Sequence, residues 1–230
     1  MNSNRKTAII VGALYIIATV AYSIAMILLD PIISGSGYLI QASLNANQVI
    51  IGTFLILIDA IAVAGIGICM YKILRKYNKT LALGFLGARV VEGAIFILTV
   101  IPTLALLTLS QEFIRAGTPD VSYYQTLGTV LLSAGNWIFL IGYGLVFALS
   151  ALILNFVLYK SKLVPRWLSG WGLASAVLVF AHYLLQYFGI NPVGILDLSI
   201  AVQEMIFAVW LIVKGFNFSE IAHVSTKINY

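Results

Sequence analysis

The sequence predicts an all-α polytopic membrane protein, a six-helix transmembrane bundle with both termini on the cytoplasmic side. Three observations point there. Of the 230 residues, 61% are hydrophobic and 9% charged, more apolar surface than a soluble domain of this length can hide. Several runs exceed the roughly 18 apolar residues of a transmembrane helix. Lysine and arginine fall in alternate connections. Membrane β-strands show short alternating segments, whereas these runs are long and apolar on every face, so helices are expected.

The first span is Thr7–Leu29. Arg5 and Lys6 precede it as they precede a signal sequence, but its run of about 22 residues exceeds the 7–15 of a cleavable segment. Thr19-Val20-Ala21 is a poor cleavage site in mid-run, so a retained helix is expected. Ser34-Gly35-Ser36-Gly37 looks like a serine nucleophile turn, has no paired His, and is read as an external loop. The second span is Gln48–Tyr71. The third is Leu81–Leu109, with Pro102 expected to kink its outer half. The fourth is Leu127–Tyr159. The fifth is Trp167–Phe188, with Pro165 at its start, where a missing N–H costs nothing. The sixth is Leu196–Val213. Residues 1–216 form one transmembrane domain, and 217–230 a short polar cytoplasmic tail that frays.

The cations set the orientation. Arg5 and Lys6, then Lys72, Arg75, Lys76 and Lys79, then Lys160, Lys162 and Arg166, then Lys214 and Lys227 share one side of a six-span chain. They are eleven of the thirteen basic residues, and the positive-inside rule makes that side cytoplasmic. Arg115 lies opposite and Arg89 lies within a span. The net charge of +5 thus reflects topology and not a nucleic-acid partner; the partner is the lipid bilayer. Tyr71, Tyr77, Tyr159, Trp167 and Trp210 on one side, and Tyr38, Tyr123, Tyr124 and Tyr187 on the other, form interface belts. Small residues within spans (Ala60 and Ala64, Gly84 and Ala88, Gly142 and Gly144) allow close helix approach. An echo between Gly12-Ala13 and Gly87-Ala88 is better explained by shared membrane-entry chemistry than by a repeat.

Four ionisable residues lie inside spans: Asp59, Arg89, Glu92 and Glu204. Each costs on the order of 2.5–3.5 kcal/mol at a bilayer centre on insertion scales. Counted at 1.5 Å per residue from the cytoplasmic ends, they lie about 18, 13, 18 and 15 Å deep, one layer near the midplane. Polar stripes lead outward from it. Asn45, Gln48 and Gly52 align with Asp59, and Thr99 and Thr103 with Arg89 and Glu92. The fourth span aligns Ser133, Asn136, Tyr143 and Ser150; the fifth aligns Ser175, His182 and Gln186. The sixth sets Asp197 above Glu204, with Gln203 beside it. Gln48, Thr99, Thr103, Asn136, Tyr143, His182 and Gln203 are therefore candidates to line a polar cavity reached from outside and floored by the charges. Thr99 and Thr103 have a second reading, as hydroxyls that satisfy carbonyls freed by Pro102. Three carboxylates against one Arg leave an excess of two negative charges. A bound proton, a bound cation or a structural ion-pair network can answer it.

Other chemistry is excluded or unsupported. Cys69 is the single cysteine, so no intramolecular disulfide or Cys-based metal cluster forms. His182 and His223 cannot supply a zinc or haem site, and His182 is read as a packed histidine. No His-Glu-x-x-His or phosphate-cradling Gly-Lys-Ser/Thr sequence occurs. No cofactor or metal is expected.

Three segments resemble an uncharacterised, mainly bacterial membrane-protein family, domain of unknown function 4386. They are Leu81-Ala-Leu-Gly-Phe-Leu-Gly-Ala-Arg-Val-Val-Glu92, Leu163-Val-Pro-Arg-Trp-Leu-Ser-Gly-Trp-Gly172 and Gln203-Glu-Met-Ile-Phe-Ala-Val-Trp-Leu-Ile-Val-Lys-Gly-Phe216. The resemblance implies a multi-pass protein of the bacterial inner membrane and no particular activity. It sets Arg89, Glu92, Arg166, Glu204 and Lys214 within the family's characteristic segments.

Transport or permeation of a small molecule or ion through the charged layer is the leading expectation. Six spans are few for a monomeric carrier, which leaves room for a homo-oligomer. An accessory, binding or sensor protein with a structural ion-pair network is the alternative. An intramembrane enzyme acting on lipid is a third class, weakened by the missing nucleophile–base pair.

Overall fold

A computed structural model describes residues 3–35, 37–117, 121–190 and 196–217. Among them every regular element is helical. Helix α1 spans Ser3–Ile33, α2 Tyr38–Leu44, α3 Ala46–Leu74 and α4 Lys79–Arg115. Then come α5 (Val121–Phe139), a π-helical segment (Leu140–Phe147), α6 (Ala148–Ser161), α7 (Arg166–Tyr187) and α8 (Leu196–Val213). Five stretches of the described residues are long and apolar enough to cross a membrane: Ser3–Ile33, Ala46–Leu74, Lys79–Arg115, Ser122–Ser161 and Arg166–Tyr187. Their mean hydropathy runs from 1.5 to 2.6. The sixth expected run coincides with α8, 18 residues carrying Asp197 and Glu204.

Apolar runs predicted as spans become helices that overshoot them at most ends, because the flanking polar residues still close helical hydrogen bonds. Asn78 caps α4, its side chain accepting from the Leu81 N–H at 2.9 Å. Helix α4 continues unbroken past Pro102. Two elements depart from the expected plan. A short helix, α2, fills much of the first connection, and Asn45 ends it, its Nδ2 donating to the Gln41 carbonyl at 2.9 Å. Asn45 thus closes α2 and also opens α3, its carbonyl accepting from the Val49 N–H at 3.0 Å. The fourth expected span is interrupted by π geometry, a wider turn that apolar periodicity does not reveal. The expected tail lies almost wholly outside the described residues.

The long helices pack as a ring in chain order. α1 packs on α3, α3 on α4, α4 on the α5–π–α6 rod, that rod on α7, α7 on α8, and α8 back on α1. The outer surface is apolar: Ile27, Phe54, Ile61 and Ile101 are 60–72% exposed. Buried polar side chains face inward, Asp59, Arg89, Glu92, Ser150 and Gln203 among them. This inverted arrangement suits lipid, where apolar surface costs nothing and polar groups need partners.

Small residues set the tightest crossing. A Cβ on Gly67 would stand 2.9 Å from Arg89 Cβ, and one on Gly93 would stand 2.8 Å from the Ala60 carbonyl oxygen. Helix α3 therefore approaches α4 closely at Arg89 itself, and the backbones meet at Gly93 and Ala60. Gly12 packs against the Ala208 carbonyl, whereas Gly87 faces open space, so the two Gly-Ala pairs do not share an environment. At one end of the bundle, Arg5 of α1 donates to the Leu211, Ile212 and Val213 carbonyls of α8 at 3.1, 2.6 and 3.1 Å. These are carbonyls a helix end leaves without partners, and a cation suits that end of the dipole.

Candidate functional site

Helix α4 places Arg89 and Glu92 three residues apart, hence on one face. Arg89 Nη1 donates to both Glu92 oxygens, at 3.1 and 3.4 Å. Its Nη2 donates to Glu204 Oε1 of α8 at 3.3 Å and to the Tyr15 hydroxyl of α1 at 3.2 Å. The guanidinium carbon lies 5.6, 5.6 and 5.5 Å from the ring centroids of Tyr15, Phe85 and Phe147. Glu92 also accepts from the Ser150 hydroxyl of α6 at 3.3 Å. One cation thus ties α1, α4 and α8 together, and Glu92 extends the network to α6. The arrangement answers which carboxylate pairs with Arg89: Glu92 and Glu204 both do.

Asp59 stands apart. It is 3% exposed and makes no hydrogen bond or ion pair with any described residue. It feels Glu92, Arg89 and Glu204 only through space. All four ionisable residues line one cavity of about 350 Å³, together with Tyr15, Tyr22, Tyr143, Phe147 and Asp197. Asp197 Oδ2 accepts from the Tyr183 hydroxyl at 2.8 Å, while its buried Oδ1 has no partner among the described residues. Gly144 of the π segment lets the Tyr183 ring pack directly against the backbone, which brings its hydroxyl to Asp197.

A second cavity, also about 350 Å³, lies toward the α2 end, lined by Asp30, Thr99, Pro102, Thr103 and Asn136. Tyr22 and Phe96 line both cavities. They belong to a layer of near-parallel rings. Tyr22 stacks on Phe96, Phe139 and Tyr143 at 6.1–6.3 Å. Tyr143 stacks in turn on Phe139 at 5.0 Å and Phe147 at 4.9 Å. The rings lie between the charged chamber and this second cavity, the vestibule.

The structure brings Asp59, Arg89, Glu92, Glu204 and Tyr143 to the chamber, and Thr99, Thr103 and Asn136 to the vestibule. The threonines also bond their own helix: Thr99 Oγ1 donates to the Phe96 carbonyl and Thr103 Oγ1 to the Thr99 carbonyl. Neither acceptor is the Leu98 carbonyl, four residues before Pro102, that the proline leaves free. Three candidates lie elsewhere. Gln48 Nε2 donates to the Leu28 carbonyl of α1 at 2.9 Å. Gln203 Nε2 donates to the Leu168 carbonyl of α7 at 3.3 Å. His182 is buried edge-on against Tyr183, its Nδ1 without a partner among the described residues. Gln48 and Gln203 join helices, and Ser175 does the same through Ser199 at 2.8 Å.

Sequence reasoning missed Tyr15, Tyr22 and the aromatic layer. A signal was present: Tyr15, Ala18, Thr19 and Tyr22 recur at helical spacing on α1 and line one wall. Tyrosines in an apolar run pass as interface residues, which hid them. Among the described residues no three His, Cys, Asp or Glu side chains cluster closely enough to hold a metal ion.

The apolar helical ring and its buried ion-pair cluster define a polytopic helical membrane protein. Within that class the chain belongs to the family described as domain of unknown function (DUF4386), which matches residues 10–215. It is similar to an uncharacterized protein of Archaeoglobus fulgidus, 27% identical over 173 residues, 75% of this chain and 86% of that one. No solved structure matches.

Proposed function

We propose that the protein is a six-span inner-membrane protein that binds a small solute or ion from the outer side and carries it across. In this reading α8 is the sixth span, both termini are cytoplasmic and the vestibule faces outward. The sorting of eleven of thirteen basic residues supports the orientation. A signal from a cytoplasmic reporter fused within residues 111–120 would overturn it.

The observation that carries the transport reading is Asp59, buried in the chamber with no partner among the described residues. A carboxylate kept so deep in a bilayer at such cost marks a site that something else satisfies. Arg89 is already committed to Glu92 and Glu204 and sets the shape of the chamber floor. The ring layer is the barrier to cross, and Tyr22 and Tyr143 are the rings that must swing. Flux into proteoliposomes tests this: Asp59→Asn is expected to lower it at least about tenfold, and unchanged flux would reject the role.

One observation favours a second reading. The Arg89 guanidinium closes on Glu92, Glu204 and Tyr15 together, as a purely structural network would. An accessory or sensor subunit would then copurify with another protein and show no flux of its own.

A further inference from the structure

The chamber's lining narrows the class of solute, an inference that rests on the solute-binding reading above. Four carboxylates line it against one guanidinium: Asp59, Glu92, Asp197 and Glu204 against Arg89. Arg89 is shared by two of them. Asp59 is 3% exposed and has no hydrogen-bond or ion-pair partner among the described residues. Asp197 offers one buried oxygen without a partner among the described residues. An anion entering this chamber would meet a formal excess of negative charge in a low-dielectric site, and like charges there repel strongly.

The walls decide between kinds of cation. A hard metal ion needs six or more converging oxygens, and no acidic cluster of three stands among the described residues. A bare proton needs neither a volume of about 350 Å³ nor an aromatic wall. The chamber that Asp59 lines is bordered also by Tyr22, Phe96, Tyr143 and Phe147 and by Val63 and Ile66. Tyr22, Asp59 and Asp197 line the same chamber, so an aromatic ring and two carboxylates border one space. Such walls fit a cation with an apolar skin, which ring quadrupoles attract once water is excluded. The protein already uses this chemistry on itself, because Arg89 sits over three aromatic rings beside the same chamber. Ser23 and Leu198 line it and are exposed between α1 and α8, where the bundle turns its apolar surface to lipid.

We infer that the chamber binds an organic ammonium ion, with the Asp59 carboxylate as counter-ion and the Tyr22 and Tyr143 rings as its walls. The volume sits at the small end of ligand pockets and suits an ion of choline size.

The purified full chain in nanodiscs, titrated calorimetrically with choline, tests this. Choline is expected to bind, and its uncharged carbon isostere to bind at least about tenfold more weakly. Sodium chloride and acetate are expected to give no saturable binding. Tyr22→Leu and Tyr143→Leu are expected to weaken choline about tenfold each, while Tyr22→Phe, which keeps the ring, holds wild-type affinity. Asp59→Asn is expected to abolish binding; if that variant does not fold, the wild-type comparison of choline with its isostere decides. Equal affinity for choline and the isostere, or no choline binding by a folded wild type, overturns the inference. The two readings fail separately. Sodium or proton flux without choline binding removes the ammonium ion and leaves transport. Choline binding without choline flux removes transport and leaves the site.

Discussion

Arg89 has more partners than any other buried side chain of the site: two carboxylates, a hydroxyl and three ring faces. Removing it would strand Glu92 and Glu204 in a low-dielectric interior. Breaking a buried pair on one side costs about 3–5 kcal/mol, and Arg89→Met is expected to destabilise by that order in reversible unfolding from detergent micelles. Arg89→Lys should recover only part of it, because an ammonium lacks the planar fork that reaches Glu92 and Glu204 at once. A fully stable Arg89→Met protein would show that the pairs contribute nothing to the fold. These four charges were legible in the sequence because a charge in an apolar run is conspicuous. Their partners were not legible. Tyr15 and Phe147 look like ordinary apolar content until the ring of helices closes and sets them over one guanidinium.

At the scale of elements, the α3–α4 crossing fixes where Asp59 and Arg89 lie relative to one another. Gly93 leaves no room for a side chain beside the Ala60 backbone. Gly93→Ala is expected to cost about 1–3 kcal/mol through overpacking and to move the residue next to Asp59, so solute binding should fall with stability. Measuring both on one sample checks it; wild-type stability would mean the helices separate freely. Arg5 makes a second junction between elements. Arg5→Ala removes three donors from the α8 terminus and is expected to cost about 1.5–3 kcal/mol, as for hydrogen bonds to a charged group, read as a lower unfolding midpoint. The helices themselves were plain from apolar length. The π segment and α2 were not, since a wider turn depends on how Gly142 and Gly144 pack and a seven-residue helix is too short for a periodic signal.

For the whole molecule, two cavities divided by stacked rings imply a graded accessibility. With Cys69 replaced by Ser, cysteines at Thr103 and Asn136 should react with a membrane-impermeant thiol reagent added outside, because both line the vestibule. A cysteine at Glu204, beyond the rings, should react far more slowly. Replacing Tyr22 by Ala should speed the inner position and leave the outer two unchanged. Equal rates at all three in the parent would mean that the rings do not separate the compartments. The stripes read from the sequence mixed cavity residues with helix-joining residues such as Gln48 and Gln203. Periodicity reports which face is polar; it is silent on whether a side chain meets water or a neighbouring carbonyl.

The Arg5 contact with α8 has a consequence for how the chain is made. Its donor and first acceptor are 206 residues apart, and a ribosome needs roughly 10–40 s to add that many residues. Throughout that interval α1 sits in the membrane with its eventual neighbour unsynthesised and its guanidinium unanchored. A chain stalled before α8 would carry an orphan first helix, the kind of exposed, half-assembled segment that insertion chaperones shield and membrane proteases degrade. The clasp thus reports the arrival of α8: it forms only in a molecule in which that helix has been made and has docked on α1.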